Sequence, residues 1–454
     1  MGLPSPAVGV EGELTTMPEM RLIEGQTVNA AAALREIRRP LLLDGLVLDT
    51  PPEAQVVQDI IADVRRRGDT AVSEITARVD AAGVPPDAVR VPVERIVRAQ
   101  AEASRGLMEA VRHAIRAVRR FQEHLLAART DSLALHGRTL SVRTRPVRRV
   151  GVCVPGASAP LMSSAIHSVV PAQVAGVREI AIAAPPRHNN DVHPAILAVA
   201  AELGVTEVYR MGGAQAIAAM AMGTERVARV DKIVGPGNIY GQLAKRFLFG
   251  VVDIDMFAGP SEVLIIADSS ARPDYVAADM LAQAEHDPGC AILLTDERRL
   301  ADRVMAELDT QLAELARPEG AIRCLAKYGA IVVIRDMEEA VVLANDIAPE
   351  HLEIATRNPG VLADRIDAAG AVFLGHFTPE SAGDYVAGPS HVLPTGGTAR
   401  FWSGVSALGF LRRTSLIEYT AEGLARDAAA IDTLARAECL DAHARSATIR
   451  VQDK

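Results

Sequence analysis

Aromatic residues are scarce in this chain: one Trp, six Tyr and eight Phe among 454 residues. No block of Lys and Arg is interleaved with them, and the net charge is -9. A nucleic acid or an anionic membrane surface is therefore excluded as the expected partner, and small polar substrates fit better. Only four cysteines occur, Cys153, Cys290, Cys324 and Cys439, with no Cys-x-x-Cys pair. Neither a disulfide framework nor a thiolate zinc site is expected, and a reducing cytoplasm fits. Long apolar spans are missing too. A run of 28 residues without Asp, Glu, Lys or Arg, Val150 to Val177, is broken by Pro155, Pro160 and Pro171, which reads as strand, turn and buried helix. The first twenty residues lack an apolar core and an Arg-rich face, so residues 1–24 read as a disordered leader.

What is present is hydrophobic periodicity. From 55 to 130 apolar residues recur at three-four spacing, as in VVQDIIADVRRRG and LMEAVRHAIRAVRRFQEHLLAA, which predicts helices. Beyond Arg145 short aliphatic runs alternate with helical stretches: VGVCV, EIAIAA, EVYRM, KIVG, VLIIAD, AILLT, AIVVI and AVFLG. Such alternation predicts the α/β class, parallel sheets with crossover helices. The length favours two open Rossmann-like sheets split near Phe257-Ala-Gly-Pro-Ser-Glu, with a closed eight-stranded barrel as the competing architecture. The expected layout is an N-terminal helical region (25–150) packing on the second α/β domain, a first α/β domain (151–260), a second (261–400), and a helical tail (401–454). After Gly375 the strand signal stops, and helices are expected from about 405 onward.

Several segments can carry chemistry. In AQAEHD, Gln283 and His286 stand three apart on an expected helix from Asp274 to Asp287, so both can face one metal ion. A carboxamide oxygen and an imidazole suit zinc but leave the site half built, and Asp384 and His443 are candidates to complete it. Glycine turns after predicted strands, Val154-Pro155-Gly156, Gly212-Gly213-Ala214-Gln215 and Gly235-Pro236-Gly237-Asn238, can line one crevice and bring Gln215 and Asn238 to a common ligand. Glu350 and His351 end a helical pattern. There a histidine can take a proton from an alcohol and a carboxylate can deprotonate water. Asp384 and His391 lie in a polar loop. Seven further histidines, His113, His124, His136, His167, His188, His193 and His376, have no such context and read as structural. Each segment alone reads more readily as a solvated helix face or a tight turn.

In order, VPGASAP, GGAQAIA, DKIVGPGNIY, DIDMFAGPSEVLIIAD, AQAEHD, APEHLEI, SAGDYVAGPSHVLPTGGTARF, SLIEYT and AECLDAHA closely resemble histidinol dehydrogenase, from about residue 25 to 452. The resemblance implies oxidation of L-histidinol to L-histidine with two NAD, the last step of histidine biosynthesis, by a zinc-dependent cytoplasmic homodimer that exchanges its tails. It implies zinc ligands Gln283, His286, Asp384 and, donated to the partner subunit, His443. It makes Glu350 and His351 the catalytic pair. Ser261, His391 and Glu438 become substrate contacts together with the metal ligands, and Cys153, Gln215 and Asn238 become cofactor contacts. NAD over NADP rests on the resemblance alone. The chain departs from the family twice: Cys153 stands where tyrosine is usual, a loss of ~1 kcal/mol of aromatic contact, and Ser390 precedes His391 where asparagine is usual. A paralogue oxidising another amino or sulfonated alcohol, a zinc hydrolase using Glu350 on a bound water, and a catalytically silent binding protein are the alternative readings.

Overall fold

A computed structural model describes residues 20–24, 27–42, 51–126, 132–156, 159–286 and 288–451. Most of the expected leader, Ala157 and Ser158 of the first glycine turn, and Asp287 lie outside these. Along the chain run β1 (Arg21–Glu24), α1 (Thr27–Arg38), α2 (Pro52–Arg67), α3 (Asp69–Asp80), α4 (Val93–Glu102), α5 (Arg105–Leu126), β2 (Ser132–Leu135) and β3 (Arg138–Pro146). A first α/β unit follows: β4 (Arg149–Cys153), α6 (Met162–Ala175), β5 (Glu179–Ala184), α7 (Pro194–Glu202), β6 (Val208–Arg210), α8 (Gly213–Met222), β7 (Lys232–Val234), α9 (Ile239–Leu248) and β8 (Asp253–Ile254). The second comprises β9 (Ser261–Ala267), α10 (Pro273–Ala284), β10 (Gly289–Thr295), α11 (Arg298–Leu312), α12 (Glu319–Tyr328), β11 (Gly329–Val333), α13 (Met337–Ile347), β12 (His351–Ala355), α14 (Pro359–Ala363), β13 (Ala371–Leu374) and α15 (Glu380–Tyr385). The tail holds β14 (Leu411–Tyr419), α16 (Ala421–Ala437) and α17 (Asp441–Thr448).

Both units are open parallel sheets, with orders β6-β5-β4-β7-β8 and β11-β10-β9-β12-β13, so each reverses direction between its first and fourth strands. The barrel alternative is thereby excluded. The strands read as continuous apolar runs because helices cover both faces: β10 is buried along its whole length. In the described residues no helix is long and apolar enough to cross a membrane.

Three expectations need correction. Residues 21–24, assigned to the leader, form β1, which extends the second sheet in parallel register with β11, Arg21 opposite Ala330. The N-terminal helices do not all pack on the second unit. Only α1 does, through Ala30, Leu34 and Ile37 against Leu264, Ile266 and Leu294. The stripes of α2 and α3 (Val57, Ile60, Val64, Val72, Ile75) bury against Met211, Met220 and Leu243. Those of α4 and α5 (Ile96, Met108, Val111, Val118) join Val150, Ile182 and Leu197. The outer faces of the first sheet's crossover helices supply the apolar surface these amphipathic helices need. Finally, the tail is not purely helical: β14 pairs antiparallel with β3 over nine residues in a sheet completed by β2. Its mostly exposed side chains gave no alternation to read.

Candidate functional site

Two edges carry the candidate residues. Cys153 closes β4 and Gly235 follows β7, the two strands flanking the first sheet's switch point. A Cβ on Gly235, whose φ is +111°, would sit 2.2 Å from the Cys153 carbonyl oxygen, so only glycine lets these strand ends approach so closely. This is the crevice at carboxyl strand ends where open α/β sheets take nucleotides. Asn238 caps α9, its Oδ1 accepting from Gly241 N at 3.2 Å. Gln215 is buried inside α8, and its Nε2 lies 3.4 Å from Thr76 Oγ1. Cys153 is half-buried.

The other residues gather at the amino-terminal edge of the second sheet. PEHLE does not end a helix as expected. Helix α13 stops at Ile347, Ala348 turns the chain with φ +48°, and His351 opens β12. Glu350 Oε2 accepts from Glu262 N at 3.0 Å, and Ser261 adds a side-chain bond. Burial pushes the Glu350 carboxyl well above its ordinary range and pushes the His351 imidazole down to about 4. His351 is therefore neutral at pH 7. Its Nδ1 lies 3.2 Å from the Glu262 carbonyl, which assigns the ring proton to Nδ1 and leaves a lone pair on the buried Nε2. That Nε2 is 3.9 Å from Asp384 Oδ1, and His391 Nδ1 approaches the same oxygen at 3.6 Å. Burial opposes ionisation of Asp384, but His391, His351 and His286 outweigh it and hold the carboxyl below its usual value.

Gln283 sits in the last turn of α10, fully buried, and neither atom of its amide has a partner among the described residues. An unsatisfied buried amide is costly unless a ligand takes its oxygen. His286 N bonds the Gln283 carbonyl at 3.2 Å, and His286 lies near enough to Asp384 to lower its carboxyl; an amide oxygen, an imidazole and a carboxylate are together a donor set whose chemistry fits zinc. The helix is shorter than expected: it ends at Ala284, so His286 lies beyond its end rather than on a shared helix face. The Gln283–His286 turn then folds tightly against β10, where a Cβ on Gly289 would come within 2.6 Å of the Gln283 carbonyl oxygen. Among the described residues no trio of His, Cys, Asp and Glu closes on one point. His443 on α17 and Glu438 after α16 are exposed, and among the described residues no hydrogen bond or ion pair joins them to this cluster.

Sequence reasoning missed a layer of acids behind His351. Glu380, at the start of α15, places Oε1 3.3 Å from His351 Nδ1. Glu353, two residues along β12 and so on the same face as His351, shares a hydrogen bond with Asp279 of α10. Burial raises the carboxyls of Glu353, Asp279 and Glu380, and neighbouring carboxylates raise Glu353 and Glu380 further. A glutamate inside the parallel strand HLEIA was the available signal, because such strands are otherwise apolar. Glu262 is buried beside Arg38, whose guanidinium donates at 2.7 Å. His167, read as structural, lies against His391 with ring centroids 4.5 Å apart.

Residues 48–451 match the histidinol dehydrogenase family model. The histidinol dehydrogenase of Moorella thermoacetica is 48% identical over 407 residues, covering 89% of this chain and 96% of that protein. That of Geobacillus kaustophilus is 46% identical, covering 89% and 95%. The crystal structure of histidinol dehydrogenase from Elizabethkingia anophelis superposes with a TM-score of 0.89 at 35% identity, covering 96% of this chain and 98% of that one.

Proposed function

The chain belongs to the histidinol dehydrogenase family, and we propose that it oxidises L-histidinol to L-histidine through L-histidinaldehyde with two NAD, as a zinc-dependent homodimer of the cytoplasm. The observation that carries this reading is the buried Glu350–His351 pair: Glu350 Oε2 is fixed by the Glu262 amide at 3.0 Å, and His351, held through Nδ1 by the Glu262 carbonyl at 3.2 Å, presents an unprotonated Nε2.

Zinc, when held by Gln283, His286, Asp384 and the partner subunit's His443, supplies a Lewis-acid anchor that orients the substrate. NAD, when bound across the β4/β7 crevice beside Cys153, Gln215 and Asn238, supplies the hydride acceptor. The chain's own groups do the rest. His351 Nε2 takes the hydroxyl proton of the alcohol, and the Glu262 carbonyl, 3.2 Å from Nδ1, accepts the Nδ1–H and holds the ring in place as it charges. Glu350, fixed by the Glu262 amide, deprotonates the water that adds to the aldehyde. His351 then takes the hydrate's proton in the second oxidation. Ser261, His391 and Glu438 of the exchanged tail bind the substrate's polar groups. Burial excludes bulk water and keeps the reactive aldehyde from side reactions.

The test is NADH formation from L-histidinol by purified protein: two NADH per L-histidine formed support the reading. A zinc-loaded enzyme that produces none with L-histidinol, yet does with another amino alcohol, would establish the paralogue instead.

A further inference from the structure

Helix α6 leaves the carboxyl edge of the first sheet and is buried on every side from Ser164 to Ala172. It contains Pro171, which has no N–H to give to the carbonyl four residues earlier. That carbonyl belongs to His167. The bond the helix withholds is supplied from the far side of the cleft: Ser390 Oγ donates to His167 O at 3.0 Å. The Ser390 hydroxyl oxygen also accepts from Val392 N at 3.1 Å, which fixes the turn. Next in sequence, His391 N donates to His167 Nδ1 at 3.3 Å. His167 is fully buried, and burial, with His391 next to it, pushes its imidazole down to about 3. The ring is neutral, and an accepting Nδ1 assigns its proton to Nε2.

We propose that His167 is a positioning residue, whose carbonyl and Nδ1 together latch the Ser390-His391 loop to α6 and so set where the His391 imidazole meets the substrate. The proposal rests on the reading above that His391 contacts L-histidinol. The imidazole of His391 is held between two supports, the His167 ring on one and Asp384 Oδ1 on the other. The first belongs to the nucleotide-side unit and the second to the acid-rich unit, so the latch also fixes the two edges relative to each other at the point where substrate binds. Support that acts equally on bound substrate and transition state alters affinity and leaves turnover little changed.

His167→Phe keeps a ring against His391 and removes the acceptor, whereas His167→Asn keeps an acceptor and removes the ring. The expected result for His167→Phe is a rise of at least tenfold in both KM and calorimetric Kd for L-histidinol, with kcat, zinc content and thermal midpoint close to wild type. His167→Asn should recover most of the affinity. In protein labelled with 15N-histidine, the His391 ring signals should shift or broaden in His167→Phe while those of His286 hold. Unchanged KM and unchanged His391 signals overturn the latch, as does a parallel fall of kcat, zinc content and thermal midpoint in both variants. Should His167→Phe not fold, Ser390→Ala removes only the hydroxyl: a KM at least threefold higher supports the latch, and an unchanged one overturns it. A wild-type protein making no NADH from L-histidinol would instead sink the proposed function, a result the histidine spectra distinguish because they need no turnover.

Discussion

The two parallel sheets have the same strand order and treat buried charge in opposite ways. In the five-stranded unit, charges that leave water meet a counter-charge. Lys245 Nζ is 2.6 Å from both Asp255 Oδ1 and the Gly235 carbonyl, with both side chains almost wholly inaccessible. Lys232 pairs with Asp253, and Arg149 with Glu179 and Glu207. In the six-stranded unit Arg38 meets Glu262, but Glu350, Glu353, Glu380 and Asp279 are shifted chiefly by burial and by one another. A compensated pair holds a geometry and has little reason to move a proton. Uncompensated acids beside a neutral histidine have raised affinity for protons, which is the condition for acid–base work near neutral pH. One unit thus reads as a scaffold for a crevice and the other as the proposed seat of proton transfer.

That contrast can be sharpened most strongly at the proposed catalytic pair, Glu350 and His351. His351→Asn should lower both oxidations by ~10²–10⁴-fold. Glu350→Gln should slow L-histidinaldehyde oxidation by a comparable factor and alcohol oxidation far less. Single-turnover NADH formation from each substrate separates the two, and equal losses in Glu350→Gln would remove its assignment to water. Neither change should lower the unfolding midpoint much.

Breaking charge compensation in the other unit should have the opposite profile. Lys245→Met strands Asp255 inside the fold and should cost ~3–5 kcal/mol of stability in urea unfolding. The double change Lys245→Met with Asp255→Leu should recover most of it. A single variant as stable as wild type would mean that the pair contributes nothing to the scaffold.

The smallest effect concerns pH. The folded-state pKa of Glu353 is raised by burial and by Asp279, so the folded chain binds this proton more tightly than the unfolded chain does. The stability it contributes is complete below the ordinary glutamate value near pH ~4.3 and is lost as pH rises through the raised folded value, by up to ~1.4 kcal/mol per pH unit. Glu353→Gln should flatten the decline in stability between about pH 5 and the raised folded value. A slope identical to wild type would show that Glu353 does not titrate there.

Strand runs such as VLIIAD and AILLT were legible because a strand covered on both faces must be apolar throughout. β12 was not, because His351 and Glu353 interrupt the run, and they do so at the site itself. Gln283, Asp384, Glu350 and His351 entered by motif, whereas Glu380 and Asp279 carry no local signal: what makes them unusual is burial, which only tertiary structure reveals. His167 had a clue in Pro171, four residues on, but the partner that takes up the freed carbonyl lies more than two hundred residues away.

Strand β14 and the turn before it have a consequence for biosynthesis. Ala407 N bonds Gln122 Oε1, Val147 N bonds Phe410 O, and Phe410 belongs to the apolar cluster of the first unit. A nascent chain emerging from the ribosome therefore cannot complete the contacts of α5 and of the turn after β3 until residue 410 has been synthesised. Contacts of such long sequence separation slow folding and prolong exposure of apolar surface. A ribosome-stalled chain ending near residue 400 should for this reason bind chaperones more persistently than its number of completed helices suggests.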